Sequence, residues 1–211
     1  MFLEAVPDAL KSNLEAIAKE KIFKQFYLAG GTALALQLGH RISRDLDFFT
    51  PDDFSEKKII STLEKLGKLT IETIKEETIL GALNGVKISF FYYRYPLIFP
   101  VAPILGVNLA DIREIGAMKL DAIQSRGKKR DFIDIWAILN EKITLEELFS
   151  HFQKKYHGVD YNIQHLLKSL TYFADAEKDE MPQMLEKVSW KDVKIFIEKS
   201  VKAFVSKDIG K

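Results

Sequence analysis

The sequence predicts an α+β fold, in which a mixed β-sheet flanked by helices is followed by a C-terminal helical bundle. Three observations predict it. Residues 69–95 alternate apolar and polar side chains with a period of two, as half-buried strands do. Short apolar runs separated by a glycine pair precede this region, and apolar residues beyond it recur at helical spacing. We therefore expect an α/β domain over residues 1–107 and a helical domain over residues 108–211.

The N-terminal elements follow from local patterns. Apolar residues recur at helical spacing after Pro7, a residue that suits a first helical turn. Ser55 is placed to cap a later helix, and Asn84-Gly85 is a turn signal between two alternating runs. Together these patterns predict helices within the first 25 residues and at 32–38 and 55–67, and strands at 26–29, 45–49 and along 69–95.

The rest of the chain is predicted to be a connector and then helices. Three prolines interrupt residues 96–108, which we interpret as a connector and the candidate domain boundary. The same prolines, with Arg94, exclude a membrane-spanning helix in the most apolar stretch, residues 88–107. Beyond the connector, helices are expected to begin near Asp111, Arg130, Thr144, Asp160 and Ser189.

Composition limits the function. The 211 residues include no cysteine, which excludes disulfides, thiolate nucleophiles and cysteine-ligated metals and fits a reducing cytosol; we expect a cytoplasmic protein. The chain has 31 Lys and Arg against 30 Asp and Glu, a formal net charge of +1. This balance argues against nucleic-acid binding through bulk charge alone, so an anionic partner would need a local site.

A glycine pair marks the first candidate site. Gly30, Gly31 and Thr32 lead directly from a predicted strand into a predicted helix. Glycine allows unusual dihedral angles and close approach of another group, and the unpaired N–H groups of a helix start favour a phosphate. A tight turn with no ligand is the alternative interpretation.

Two aspartates on the next strand form the second candidate site. Asp45 and Asp47 alternate with Leu46, which places both carboxylates on one face of the strand. Two neighbouring anions repel each other unless a divalent cation such as Mg²⁺ or Mn²⁺ bridges them. The alternative is a solvated strand edge or ion pairs with Arg41 and Arg44.

Together the two sites match the arrangement for phosphoryl transfer from a nucleoside triphosphate, in which a metal holds the triphosphate. The run of Gly30-Gly31-Thr32 and then Arg41-x-Ser43-x-Asp45-Leu46-Asp47-Phe48 resembles the first motif of the minimal, polymerase-beta-type nucleotidyltransferases. This motif is similar to that of the AbiEii-type toxins of abortive-infection and toxin–antitoxin systems. The resemblance implies a nucleotidyltransferase-type sheet, an RNA acceptor, with tRNA as one candidate, and a separate antitoxin protein.

The resemblance continues over Ala117–Arg126 and Lys129–Ile135, which are similar to later motifs of that family. It implies that Lys119 and Asp131 complete the site from the helical domain. Lys119 lies on an apolar helix stripe, where a cation is costly unless an anion meets it; a snorkelling lysine is the alternative. Asp134 shares a helix face with Asp131 and is kept as the second choice.

One departure concerns a third acid that many such enzymes carry on a later strand. The corresponding strand here has Ser89 and Phe90. Three interpretations stay open: two carboxylates suffice, an acid of the helical half substitutes, or catalysis is impaired. Aromatic residues 90–95 form either a base-stacking surface or a buried strand, and the basic run 126–130 either meets phosphates or is a solvated loop.

The predicted function is metal-dependent nucleotidyl transfer. Gly30, Gly31, Thr32 and Ser43 would hold phosphates, Asp45 and Asp47 would bind Mg²⁺, Lys119 would stabilise the triphosphate, and Asp131 would position or deprotonate the acceptor. Two alternatives keep the site: a kinase that transfers the γ-phosphate, and a catalytically silent protein that binds nucleotide or RNA.

Overall fold

The computed structural model describes residues 1–75, 77–141 and 143–208. The chain divides into two compact units, Met1–Asp111 and Ile112–Lys211. Residues 209–211, the end of the predicted helical domain, lie outside the described part.

The first unit contains a mixed sheet, as predicted. Its helices and strands are α1 (Asp8–Ala18), β1 (Tyr27–Ala29), α2 (Gly30–Leu38), β2 (Leu46–Thr50), α3 (Glu56–Leu66), β3 (Leu69–Lys75), β4 (Thr78–Leu83), β5 (Val86–Tyr92), β6 (Ala102–Ile104) and β7 (Val107–Leu109). In the described part of the chain, seven strands form one sheet in the order β3-β4-β5-β2-β1-β7-β6. β1 pairs with β7 and β2 with β5 in parallel, and the other pairings are antiparallel.

The antiparallel run depends on a local turn. Asn84 and Gly85 both have left-handed backbone conformations, with φ of 51° and 80°. This is the combination that a two-residue hairpin turn requires. The predicted hairpin between β4 and β5 is therefore confirmed.

The predicted connector over residues 96–108 is wrong in its second half, because β6 and β7 lie there. Val107 and Leu109 are buried, and β7 adds to the sheet beside β1. Strands of three residues are too short to show an alternating pattern. The first unit consequently extends beyond residue 107.

One face of the central strands forms an aromatic core. Leu46, Phe48 and Thr50 of β2 are buried, and the Phe48 ring stacks on Phe90 of β5 with centroids 5.1 Å apart. Phe26 meets Phe90 edge-on, also at 5.1 Å. The buried-strand interpretation thus holds for Phe90, and the opposite face of β2 is left for the site.

The second unit is a helical bundle, as predicted. It contains α4 (Ile112–Ser125), α5 (Lys129–Asn140), α6 (Leu145–Lys155), α7 (Ile163–Thr171) and α8 (Trp190–Asp208). The helix α4 contacts α5, α6 and α7, and α8 packs against α5, α6 and α7. Thr144 caps α6 with a capping box that includes Glu147. Over the described ranges, every helix falls short of the length or apolarity that a bilayer crossing needs.

Candidate active site

The two aspartates of the first unit lie on one face of β2. Burial alternates along this segment, so that Asp45, Asp47 and Phe49 are half-buried while the residues between them are fully buried. Side chains two residues apart in a strand point to the same side of the sheet. Both carboxylates are therefore partly accessible on the face opposite the aromatic core.

The glycine turn lies directly against one of these carboxylates. Gly30 has a left-handed φ of 68°, and a Cβ atom on it would stand 3.1 Å from Asp47 Oδ2. The register of β1 with β2 explains the proximity, since Ala29 is opposite Asp47. A side chain at position 30 would be strained and would fill the space beside the acid.

A buried arginine lies at the start of α2. A Cβ atom on Gly31 would stand 2.2 Å from Arg41 Nη2, so a side chain at position 31 would require this guanidinium to move. Arg41 is 4% exposed. Sequence reasoning missed this arrangement: it considered Arg41 as a partner for the aspartates and as the first residue of the family motif, and not as a neighbour of Gly31. The available signal was Gly39, whose left-handed conformation ends α2 and turns the chain back.

Thr32 and Ser43 connect α2 to the strand that carries the acids. The Thr32 hydroxyl donates to the backbone carbonyl of Asp45 and is hydrogen-bonded to the Ser43 hydroxyl at 2.9 Å. Both residues are buried. These contacts connect the start of α2 to the backbone at Asp45.

The donor set fits a magnesium ion held by two carboxylates. Ser89 of β5 lies opposite Asp47 in the parallel register and is buried, so this strand position has a hydroxyl where the resemblance implies a third acid. Within the described ranges, no group of three or more His, Cys, Asp and Glu side chains is placed to hold a metal ion. Mg²⁺ is commonly held by one or two carboxylates, with substrate phosphates and water as the other ligands.

The second unit contains a separate buried cluster of charges. Lys119 Nζ on α4 lies 2.8 Å from Asp131 Oδ1 and 2.5 Å from Asp134 Oδ2, both on α5. Arg126 makes a two-pronged contact with Asp131, from Nε to Oδ2 and from Nη2 to Oδ1, each at 2.9 Å. Both aspartates are fully buried, and Lys119 is 5% exposed.

The surroundings of Asp131 determine its charge. Burial raises the pKa of this carboxyl, but Lys119 and Arg126 outweigh burial and hold the pKa below its usual value. Asp131 is therefore an anion at neutral pH and a weak proton acceptor. Of the two roles predicted for it, this geometry favours positioning over deprotonation.

A row of aromatic rings continues from the acid-bearing face of β2. The rings of Phe49 and Phe91 stack with centroids 5.1 Å apart, and Phe49 meets Tyr93 edge-on at 5.5 Å. Tyr95 follows at 5.2 Å from Tyr93, with the Arg94 guanidinium 5.0 Å from its ring centroid. Because Phe49 is two residues from Asp47, this row begins on the same face as the carboxylates.

Comparison with known proteins finds relatives that match this chain over most of its length. An uncharacterized protein of Aquifex aeolicus is 38% identical over 200 residues, covering 92% of this chain and 95% of the relative. The crystal structure of a candidate nucleotidyltransferase from H. pylori has a TM-score of 0.59 at 19% identity, covering 98% of this chain and 97% of that chain. MenT4, a nucleotidyltransferase toxin from Mycobacterium tuberculosis H37Rv, has a TM-score of 0.58 at 16% identity, covering 92% of this chain and 80% of that chain.

The family model described as the AbiEii nucleotidyl transferase toxin of type IV toxin–antitoxin systems matches residues 13–101 and 87–199. These ranges contain the glycine turn, the aspartates of β2 and the charge cluster of the second unit. The structural matches share the same α+β fold. The chain belongs to the AbiEii family of nucleotidyltransferase toxins.

Proposed function

We propose that this nucleotidyltransferase moves a nucleotide from an NTP to an RNA acceptor, with Mg²⁺ or Mn²⁺ held by Asp45 and Asp47. The observation that carries the proposal is the close approach of Gly30 to Asp47, which joins a helix start to a partly accessible carboxylate pair. A bound metal ion would supply Lewis-acid stabilisation of the charge on the phosphates. Since NTP and RNA are cytoplasmic, we place the activity there.

The first unit would bind the triphosphate. The backbone N–H groups at the start of α2, from Gly31 and Thr32, are donors suited to phosphate oxygens. The Arg41 guanidinium beside Gly31 adds a positive charge at the same helix start. Thr32 and Ser43 would keep this helix start in register with β2.

The second unit would add a cation through Lys119. An ammonium group has three N–H donors, of which two meet Asp131 and Asp134. The third would donate to a phosphate oxygen of an NTP. Asp131 would hold Lys119 in place, as a positioning residue.

The RNA acceptor and an antitoxin partner are proposed from the family. A toxin of a type IV toxin–antitoxin system implies an antitoxin encoded with it. RNA, with tRNA among the candidates, is the acceptor that the resemblance implies. The aromatic row from Phe49 to Tyr95 offers ring faces on which bases can stack.

One observation favours a second candidate function, nucleotide or RNA binding without turnover. Ser89 stands beside Asp47 where an acid is common, and the described residues offer no third metal-binding side chain there. Metal-dependent NTP binding without label transfer would support this candidate over the enzyme. Transfer of label from the γ-position alone would instead indicate a kinase.

The test is incubation with each α-labelled NTP, Mg²⁺ and total RNA. The wild-type protein should label RNA, and Asp45→Asn with Asp47→Asn should abolish labelling while the circular dichroism spectrum and melting temperature are retained. The matched control is Asp52→Asn with Asp53→Asn, which neutralises two exposed acids of the same unit and should leave labelling unchanged. Unchanged transfer by the Asp45 and Asp47 double variant would refute the proposal.

A further inference from the structure

A cavity of about 380 Å³ lies in the second unit, between the end of α4 and one face of α7. Its lining includes Arg126, His165, Lys168, Ser169, Tyr172 and Asp175. On α7, positions 165 and 168 are three residues apart and so share a face, and Tyr172 directly follows the helix. Ligand sites are typically about 300–1,000 Å³, so this cavity has room for a single nucleotide unit.

The charge of the cavity suits a phosphate. Arg126 and Lys168 both line it and are exposed, and the side chain of Arg126 is 48% exposed. Asp131 holds Arg126 through Nε and Nη2, which fixes the guanidinium at the cavity wall. A cation that is already ordered loses less side-chain entropy when it binds an anion.

Two further residues favour a nucleotide over a bare anion. Tyr172 is 59% exposed at the end of α7, a large exposure for an aromatic ring. Exposed aromatic rings beside cations are the usual platform for bases of single-stranded nucleic acid. The Asp175 carboxylate also lines the cavity and is an acceptor for ribose hydroxyls or base N–H groups.

We propose that this cavity binds one nucleotide of the RNA acceptor, with its phosphate on Arg126 and Lys168 and its base against Tyr172. The inference rests on the proposed function and extends it by assigning the acceptor a site in the helical unit. Arg126 then contacts both the phosphate of the acceptor and the Asp131 carboxylate. Acceptor binding is thereby connected to the residue that holds Lys119.

The experiment measures binding of a fluorescein-labelled single-stranded oligoribonucleotide by anisotropy, without NTP or metal. Lys168→Gln combined with Tyr172→Ala should weaken binding about tenfold, because it removes one phosphate contact and one stacking surface. In the transfer assay the same variant should raise KM for RNA and leave KM for NTP unchanged. The matched control, Lys202→Gln with Val205→Ala on the exposed surface of α8, should bind as the wild type does.

Three results would overturn the proposal. The first is no binding by the wild-type protein, and the second is binding by the Lys168 and Tyr172 double variant that equals that of the wild type. The third is displacement of the oligonucleotide by inorganic phosphate at the same concentration as the oligonucleotide. Because the binding assay contains no NTP, its outcome is independent of catalysis. The Asp45 and Asp47 double variant should keep RNA binding and lose transfer, so a failure of the proposed chemistry can be distinguished from a failure of this site.

Discussion

The two units carry their aspartate pairs in opposite surroundings. Asp45 and Asp47 are half-buried on a strand, whereas Asp131 and Asp134 are fully buried on a helix beside Lys119. Partly hydrated carboxylates can exchange water for a metal ion at modest cost, while buried carboxylates require a permanent counter-charge. The same residue type is therefore suited to ligand binding in the first unit and to positioning in the second.

The largest expected effect is a difference in stability between variants of the two aspartate pairs. Asp131→Ala should lower the free energy of unfolding by about 3–5 kcal/mol, because it leaves buried cationic charge without its partner. Asp47→Ala should lower it by less, since the half-buried Asp47 carboxylate is less desolvated than that of Asp131. Urea unfolding followed by circular dichroism measures both. Equal losses in the two variants would break the distinction between the units.

A second prediction tests whether NTP binding requires the space between Gly30 and Asp47. Gly30→Ala should cost about 1–2 kcal/mol of stability through left-handed strain and should also reduce nucleotide transfer at least tenfold, with a higher KM for NTP. Gly158→Ala is the matched control, because Gly158 has a φ of 83° and nothing lies within 4 Å of its Cβ position. It should lose similar stability and no activity. Full activity of Gly30→Ala would show that the turn is only structural.

The third and smallest effect is a pH dependence. Since the folded-state pKa of Asp131 is lowered, its stabilising contribution is present above the unfolded pKa of about 4 and is lost as pH falls through the folded pKa. The free energy of unfolding should therefore decrease below about pH 4, and less steeply for Asp131→Asn.

Acids nearer the surface also contribute to the decrease in the free energy of unfolding at low pH, so the Asp131 variant needs a control. The pKa of Asp179 is lowered by the backbone N–H of Lys129, and Asp179→Asn should change the slope only slightly because this carboxylate is near solvent. Direct titration of the Asp131 carboxyl by NMR provides an independent check. A carboxyl that titrates at its ordinary value would contradict the ion-pair account.

Features set by neighbouring residues were predictable from the sequence. The alternation of β2 and the Asn84-Gly85 hairpin both depend on a few consecutive residues, and both are observed. The contact between Lys119 and Asp131 was predictable only in part, since the helical spacing indicated that Lys119 needed an anion but not which one. The resemblance to the family assigned both residues to one site but did not pair them with each other.

Contacts between distant residues were not predictable. Glu114 and Lys155 form a fully buried ion pair between α4 and α6, although each looks like an ordinary helix-surface charge in the sequence. Arg41 is similar, because its position over Gly31 depends on how the chain returns after α2. One-dimensional patterns give the face of an element but not what covers it.

The order of the elements along the chain has a consequence for synthesis. β1, α2 and β2 are consecutive, so the helix start and both metal-binding candidates leave the ribosome together. The strands β1 and β2 pair with each other, and the segment that connects them contains α2, so all three elements can form from one continuous stretch of chain. Lys119 and its aspartates follow only after the whole sheet. An unfinished chain thus carries the residues proposed to bind phosphate and metal before the lysine cluster exists, and on that proposal the nascent protein is inactive until its helical half is made.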